Sequence, residues 1–103
     1  MMNQDQAKRI NGGAESQRFV GVGPHNIANG LRGYALVVNV TGTIIAAMLA
    51  QSEGGDPAHA YVPTGWLGVA LSAGEYHVSA EGITQITLTA AADSVTVYCD
   101  RTF

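Results

Sequence analysis

The residues of this chain that could carry chemistry are few and lie far apart. Its histidines, His25, His59 and His77, are not at metal-ligand spacing from one another or from the single cysteine, Cys99. Zinc sites are built from His and Cys ligands at short, regular spacings, so the pattern predicts no metal site. Cys99 lies in an apolar alternating run without an adjacent basic residue, which indicates a small buried side chain and not a catalytic thiol.

The acidic and hydroxyl side chains show no catalytic arrangement either. Glu53 and Asp56 lie in a predicted surface loop, and Glu75 and Glu81 flank a predicted strand, so no carboxylate stands out as a raised-pKa acid. The serines lack the context of a nucleophile elbow. The glycines around His25, in VGVGPHN, lack the Lys and Ser/Thr of a phosphate loop and indicate a bend. We therefore predict that the chain is not an enzyme and that it takes no cofactor and no small-molecule substrate.

Two aromatic residues are candidates for a binding surface. Tyr61 and Trp66 both lie in the segment AYVPTGWLG. Exposed side by side, they would form a platform for a sugar or for a partner protein. A lone Trp in a β domain more often belongs to the core. Both alternatives stay open from the sequence.

The composition points to contact with other proteins. Charged residues make up 13% of the 103 residues, which is about half of the ~25% usual in soluble domains. So few charges indicate that part of the surface is covered by a partner, although polar uncharged residues can also keep a domain soluble. The formal net charge is −3, and the five Lys and Arg residues are spread along the chain. Without a basic stripe to neutralise phosphates, nucleic-acid binding is not expected.

The most apolar stretch, YALVVNVTGTIIAAMLAQ, runs from Tyr34 to Gln51 without a formal charge. A membrane helix needs about 20 predominantly apolar residues, and here Asn39 and Thr43 would lie near the bilayer centre, so no membrane span is predicted. YALVVNV is rich in β-branched and aromatic residues, and NVTGT suits a turn. We therefore predict a hairpin, in which residues 44–51 are the arm that could instead be helical.

Strand-like runs recur along the rest of the chain, separated by turn signals such as SAGEY, Glu81–Gly82 and AADS. This spacing is typical of a β-sandwich or small barrel. We predict an all-β fold, a small jelly-roll or Ig-like β-sandwich of about 6–8 strands over residues 18–103. Its expected core consists of Leu36, Val38, Val40, Ile45, Leu49, Leu67, Val69, Leu71, Tyr76, Val78, Ile86, Leu88, Val95 and Val97.

Residues 1–17 form a predicted N-terminal arm. They lack periodicity and offer few apolar anchors to a core. We expect such a segment to lie along a neighbouring subunit, the alternative being that it folds back on its own domain. It also lacks the apolar region of a signal peptide, which predicts synthesis in the cytoplasm. The candidate partner-binding residues of the chain are Ile10, Phe19, Val20, Tyr61 and Trp66.

Four segments together resemble small virion proteins of tailed bacteriophages. They are GYALVVNVTGTIIAAMLAQSEGG, YVPTGW, LSAGEYHVSAEG and ITLTAAADSVTVYC, and they span about residues 32–99. The resemblance lies in the order of strands and glycines, so it carries over no functional residue. The helix-prone run IIAAMLAQ departs from it.

This resemblance implies a structural role in the virion. The chain is expected to be a capsid decoration or cement protein, made in the host cytoplasm, that binds the major capsid protein or other virion proteins and forms homo-oligomers. A head–tail or tail component is one alternative. A carbohydrate-binding β-sandwich module, with Tyr61 and Trp66 as its platform, is an alternative of a different class.

Overall fold

All regular structure in the described part of this chain is β. The computed structural model describes residues 14–28, 30–52 and 57–101. No helix in these ranges is long and apolar enough to cross a membrane. The prediction of an all-β fold is confirmed. The strands are β1 (Ala14–Val20), β2 (Gly23–Asn26), β3 (Arg32–Val38), β4 (Thr43–Gln51), β5 (His59–Ala60), β6 (Ala70–Leu71), β7 (Tyr76–Leu88) and β8 (Ser94–Asp100).

The strands form one open antiparallel sheet. Its order is β1-β8-β3-β7-β4-β5, with β2 paired to β7 and β6 paired to β4. The long strand β7 joins two parts: Tyr76 to Ile83 pairs with β3, whereas Ile83 to Leu88 lies between β2 and β4. We call β1, β8, β3 and the start of β7 the first half of the sheet, and the remaining strands the second half. This pairing does not by itself confirm a sandwich or a jelly roll.

The helix-prone run IIAAMLAQ is strand β4. Ile45, Met48 and Ala50 are buried, and two register irregularities against β7 bring these unevenly spaced residues to the same side. Burial thus overrides the helix propensity of Ala and Leu. The predicted hairpin, however, is wrong. β3 pairs with β7 and β8, while β4 pairs with β5, β6 and β7, so residues 39–42 connect the two halves.

The predicted turn at Glu81–Gly82 is wrong as well. Both residues lie within the continuous strand β7. The register against β3 jumps from Val78 to Ile83, so the intervening residues bulge out of the ladder. The hydroxyl of Ser79 holds the bulge, because it donates to the carbonyl oxygen of Glu81 and accepts from the Glu81 N–H at 3.1 Å.

One hydrophobic cluster contains side chains from both halves of the sheet. Eight predicted core residues are buried: Leu36, Val38, Ile45, Leu71, Ile86, Leu88, Val95 and Val97. Leu49 and Leu67 are half-buried. Four predictions were wrong, since Val40, Val69, Tyr76 and Val78 are exposed. Core residues that the pattern did not indicate are Ile27, Leu31, Met48 and Ile83, whereas the predicted burial of Cys99 is confirmed.

The strand β1 contains part of the predicted arm. Residues 14–17 pair with β8 from Asp100 to Val97. The boundary predicted between residues 17 and 18 therefore falls inside a strand. Residues 1–13, which include Ile10, lie outside the described residues, so the neighbour-binding role of the arm and of Ile10 stays a prediction.

Candidate functional site

An exposed apolar surface lies on the outer face of the first half, opposite the core. Leu36 is fully buried, so its neighbours in β3 point to the other face. Their cross-strand partners on β7 include two residues, Tyr76 and Val78, which are 70% and 65% exposed. On β8 the partner of Ala35 is Tyr98, which is 42% exposed. We call this surface the outer patch; it consists of Ala35, Val37, Tyr76, Val78 and Tyr98.

The register of β7 decides which of its side chains reach the outer patch. His77 lies opposite Leu36, so it faces the core side, and Tyr76 and Val78 face outward. The segment EYHVSA alternates in either sense, and a shift of one residue exchanges the two faces. The backbone bond from Val38 N–H to Glu75 O, at 2.8 Å, holds the observed register.

Polar side chains border the outer patch at the end of β3. Asn39 Nδ2 donates to Ser94 Oγ at 3.0 Å and to Thr96 Oγ1 at 2.9 Å. Arg18 of the edge strand β1 donates through Nε to Ser94 Oγ at 3.4 Å. The patch thus has apolar residues at its centre and a polar rim, which is the usual anatomy of a protein interface.

The predicted partner-binding residues of β1 face different surroundings. Phe19 is half-buried against the core, and its ring stacks on His25 at 5.3 Å between centroids. Val20, the last residue of β1, is 52% exposed. Val20 is therefore accessible to a partner, whereas Phe19 contributes mainly to packing.

Tyr61 and Trp66 are brought together by a residue that the sequence did not single out. Tyr61 Oη lies 2.7 Å from His77 Nε2, and the Trp66 ring lies 5.6 Å from the His77 ring. Both aromatic side chains are partly buried against the hydrophobic cluster. Burial lowers the pKa of His77, so the ring is neutral at pH 7. The three rings tie the β5–β6 connection to the core.

A second constellation has the residue types of a catalytic triad but not its geometry. Glu81 Oε1 accepts from Ser52 Oγ at 2.5 Å and lies 2.8 Å from His59 Nε2. The carboxylate is therefore central, and the imidazole cannot take the serine proton as a general base does. The Ser52 hydrogen bond, with a smaller effect from His59, lowers the pKa of Glu81. The cluster pins β5 to the bulge of β7.

Asp93 is the buried acidic residue of the part of the chain that the structure describes, and it was not predicted from the sequence. Its Oδ2 accepts from Ile44 N–H at 3.2 Å, from Thr89 N–H at 3.3 Å and Oγ1 at 3.1 Å, and from Ala90 N–H at 3.1 Å. Burial alone would raise the pKa of Asp93, but these donors outweigh it and the pKa is lowered. The sequence signal that could have identified Asp93 is its position in the turn AADS, where an Asp side chain commonly bonds to nearby backbone N–H groups. Its role is to join the β7–β8 turn to β4.

The described residues form no metal-binding group and contain no reactive thiol. In residues 14–28, 30–52 and 57–101, no three His, Cys, Asp or Glu side chains are grouped so that they could hold a metal ion. Burial, with a smaller effect from the charge of Glu15, raises the pKa of Cys99 to about 11. A thiol with this pKa is protonated at pH 7 and is a poor nucleophile.

The chain matches no protein-family model, no curated protein and no solved structure. What its surfaces can bind therefore follows from their own geometry and chemistry. Among the surfaces described, the outer patch combines exposed aromatic area with a rigid sheet beneath it.

Proposed function

We propose that this chain is a protein-binding structural subunit of a tailed-bacteriophage virion, where it acts as a capsid decoration or cement protein. The outer patch is the observation that carries the protein-binding role. Exposed contiguous apolar surface on a small domain marks an interaction site, and Tyr is enriched among the residues that dominate interfaces. The virion setting rests on the resemblance of the strand and glycine pattern.

The proposed mechanism is docking of a rigid face, supported by the edge of the sheet. Paired residues of β3, β8 and the start of β7 hold the outer patch, so little conformational entropy is lost on binding. β1 is the end strand of the sheet and could pair with a strand of a neighbour. On a lattice of many capsid subunits, several weak contacts of this kind combine into high avidity.

The partner that fits this surface is the major capsid protein or another virion protein, together with further copies of the chain. The edge strand β1 begins at Ala14, which pairs with Asp100 two residues beyond Tyr98. The proposed arm thus begins at the side of the outer patch. An arm and a face that start from the same place can engage the same neighbour.

We also propose that the two halves of the sheet face each other as a small β-sandwich. The support is the shared hydrophobic cluster, to which Leu36 and Val97 of the first half and Ile45 and Ile86 of the second half all belong. Packing of two sheet faces over one core is the usual way to bury both.

The alternatives differ from this proposal either in copy number or in the surface that they use. A head–tail or tail component would use the same outer patch and differ in copy number. A carbohydrate-binding module would use Tyr61 and Trp66 as an open platform, but both rings are partly buried and inclined at 49° to the ring of His77. The geometry favours the protein-binding proposal over the sugar-binding one.

The outer patch can be tested with the double variant Tyr76→Thr and Val78→Thr. Both side chains are exposed, so the fold should persist. Occupancy on purified particles, measured by quantitative mass spectrometry, should fall at least about tenfold, because each central apolar contact contributes more than ~1 kcal/mol. The matched control is Val22→Thr with Val62→Thr, since these side chains are 66% and 69% exposed and lie outside the patch.

Particle composition also separates the proposals. Unchanged occupancy of the double variant would remove the outer patch from the interface. Hundreds of copies per particle support decoration, and about a dozen support the neck or tail. Absence of the chain from purified virions would overturn the virion setting.

The arm is tested by deleting residues 1–13, which leaves β1 in place. The expected result is an unchanged unfolding midpoint together with loss of assembly on particles, because the deletion spares every described strand pair. Thermal unfolding followed by circular dichroism reports the first, and co-sedimentation with capsids reports the second. Normal co-sedimentation of the truncated chain would show that the arm is dispensable.

A further inference from the structure

A polar groove opens where β2 and β3 follow one another along the same edge of β7. Its volume is about 350 Å³. It lies where β3 of the first half meets the second half of the sheet, and it shares no residue with the outer patch. Its lining residues are Asn26, Ile27, Arg32, Leu49, Thr84 and Gln85.

Arg32 is the cation of this groove and is held in place by neutral groups. Its Nε–H donates to Gln51 Oε1 at 2.8 Å, and Nη1 donates to the carbonyl oxygen of Leu31 at 2.8 Å. Asp100 lies opposite in the register with β8, yet no carboxylate within residues 14–28, 30–52 and 57–101 forms an ion pair with Arg32. The half-buried guanidinium therefore keeps its charge and several N–H donors for a ligand.

The amide groups beside Arg32 are also arranged as donors. Gln85 Nε2 donates to Asn26 Oδ1 at 2.8 Å. This bond satisfies the oxygen of Asn26 and leaves its Nδ2 hydrogens available. The hydroxyl of Thr84 adds a further donor, and Ile27 and Leu49 provide a small apolar wall. The groove is thus rich in hydrogen-bond donors and carries one positive charge.

We propose that the Arg32 groove binds a carboxylate. The planar guanidinium offers parallel N–H groups that match two carboxylate oxygens, and a pre-oriented fork loses less entropy on binding than a free one. The carboxylate is carried by a sugar acid or by an aspartate side chain, and the shared chemistry is what the site recognises. This inference does not depend on the virion proposal, because it concerns a different surface.

The test is a titration of the full chain followed by nuclear magnetic resonance. The probes are glucuronate, with glucose as its neutral match, and N-acetyl-aspartate amide, with N-acetyl-asparagine amide as its neutral match. We expect saturable shifts of the Arg32 Nε–H signal and of the Thr84 and Gln85 amides with at least one carboxylate probe. The neutral match should bind about tenfold more weakly or not at all, because a charge-assisted bond is lost.

Variants separate the site from general charge effects. Arg32→Gln should abolish the saturable shifts, and Arg32→Lys should weaken them, because Lys keeps the charge without the fork. Asn26→Ala, at an exposed position, should weaken binding without affecting the fold. Arg18→Gln, which changes an exposed arginine outside the groove, should leave binding unchanged.

The two carboxylate probes also identify the source of the carboxylate. Preference for glucuronate points to a sugar acid, and preference for the aspartate probe points to an acidic protein segment; both support the site. The proposal fails if neither carboxylate produces saturable shifts, if the neutral probes bind equally well, or if Arg18→Gln reduces binding as much as Arg32→Gln does.

Discussion

Replacing Asp93 by alanine is expected to lower the free energy of unfolding by about 3 kcal/mol, since it removes all the hydrogen bonds to a buried, charged carboxylate. Asp93 is only 5% exposed, and its Oδ2 accepts from the backbone N–H groups of Ile44, Thr89 and Ala90 and from the Thr89 hydroxyl. Urea unfolding at pH 7, followed by circular dichroism, measures the effect.

The control for this variant is Glu15→Ala. Glu15 pairs with Arg101 at 3.4 Å on the surface, and exposed ion pairs contribute about 0–1 kcal/mol. A loss for Asp93→Ala no larger than that for Glu15→Ala would show that the turn is held by its backbone alone.

The contribution of Asp93 should also depend on pH. Its folded-state pKa is lowered below the ordinary value of 3.8, so the stabilisation is fully present above that value and is lost as the pH falls through the folded-state pKa. Asp93→Asn keeps the shape but removes the charge. The stability difference between wild type and Asp93→Asn should therefore be constant near neutral pH and shrink in acid, and a constant difference down to pH ~2 would contradict this linkage.

The second large effect is expected for Gly33→Ala. A Cβ at this position would lie 2.5 Å from Val97 Cγ1 and 3.2 Å from Ile83 Cβ. Gly33 pairs with β7 and β8 at once, so neither neighbour can move without disturbing the sheet. We expect a loss of about 2–3 kcal/mol, as for other overpacked cores, measured by urea unfolding.

A control glycine separates steric overlap from backbone strain. At Gly42 an added Cβ meets nothing within 4 Å, but φ is +95°. Gly42→Ala should therefore lose about 1 kcal/mol through strain alone. Equal losses at both positions would mean that the strands around Gly33 can separate to admit a methyl group.

Strand identity was readable from the sequence where one face of a strand is strictly apolar. Val95 and Val97 of β8 alternate with Ser94 and Thr96, and both valines are buried as predicted. The pattern also identified β4 as a strand, although its register irregularities hid the burial of Met48. An alternating sequence indicates which residues share a face of a strand. A β-bulge interrupts this alternation, and its position cannot be predicted from the sequence pattern.

The outer patch could not be read from the sequence for a related reason. The alternation in EYHVSA permits either Tyr76 and Val78 or His77 and Ser79 to face inward. The prediction that Tyr76 and Val78 face inward, because they are hydrophobic, was wrong. Partners far along the chain decide it: Leu36 fixes the facing of His77, and Tyr61 and Trp66 then pack against His77. The roles of Asp93 and Arg32 could not be predicted for the same reason, because their hydrogen-bond partners Ile44 and Gln51 are distant in sequence.

The pairing of β1 with β8 has a consequence for how the chain is made on the ribosome. β1 pairs with β8, and β3 pairs with β7 and β8, so both wait for segments that are synthesised much later. At about 5–20 residues per second, unpaired strand edges stay exposed to other nascent chains for several seconds. The sheet is thus completed only once β8 has been synthesised, and high expression should favour aggregation of incomplete chains unless chaperones shield the early strands.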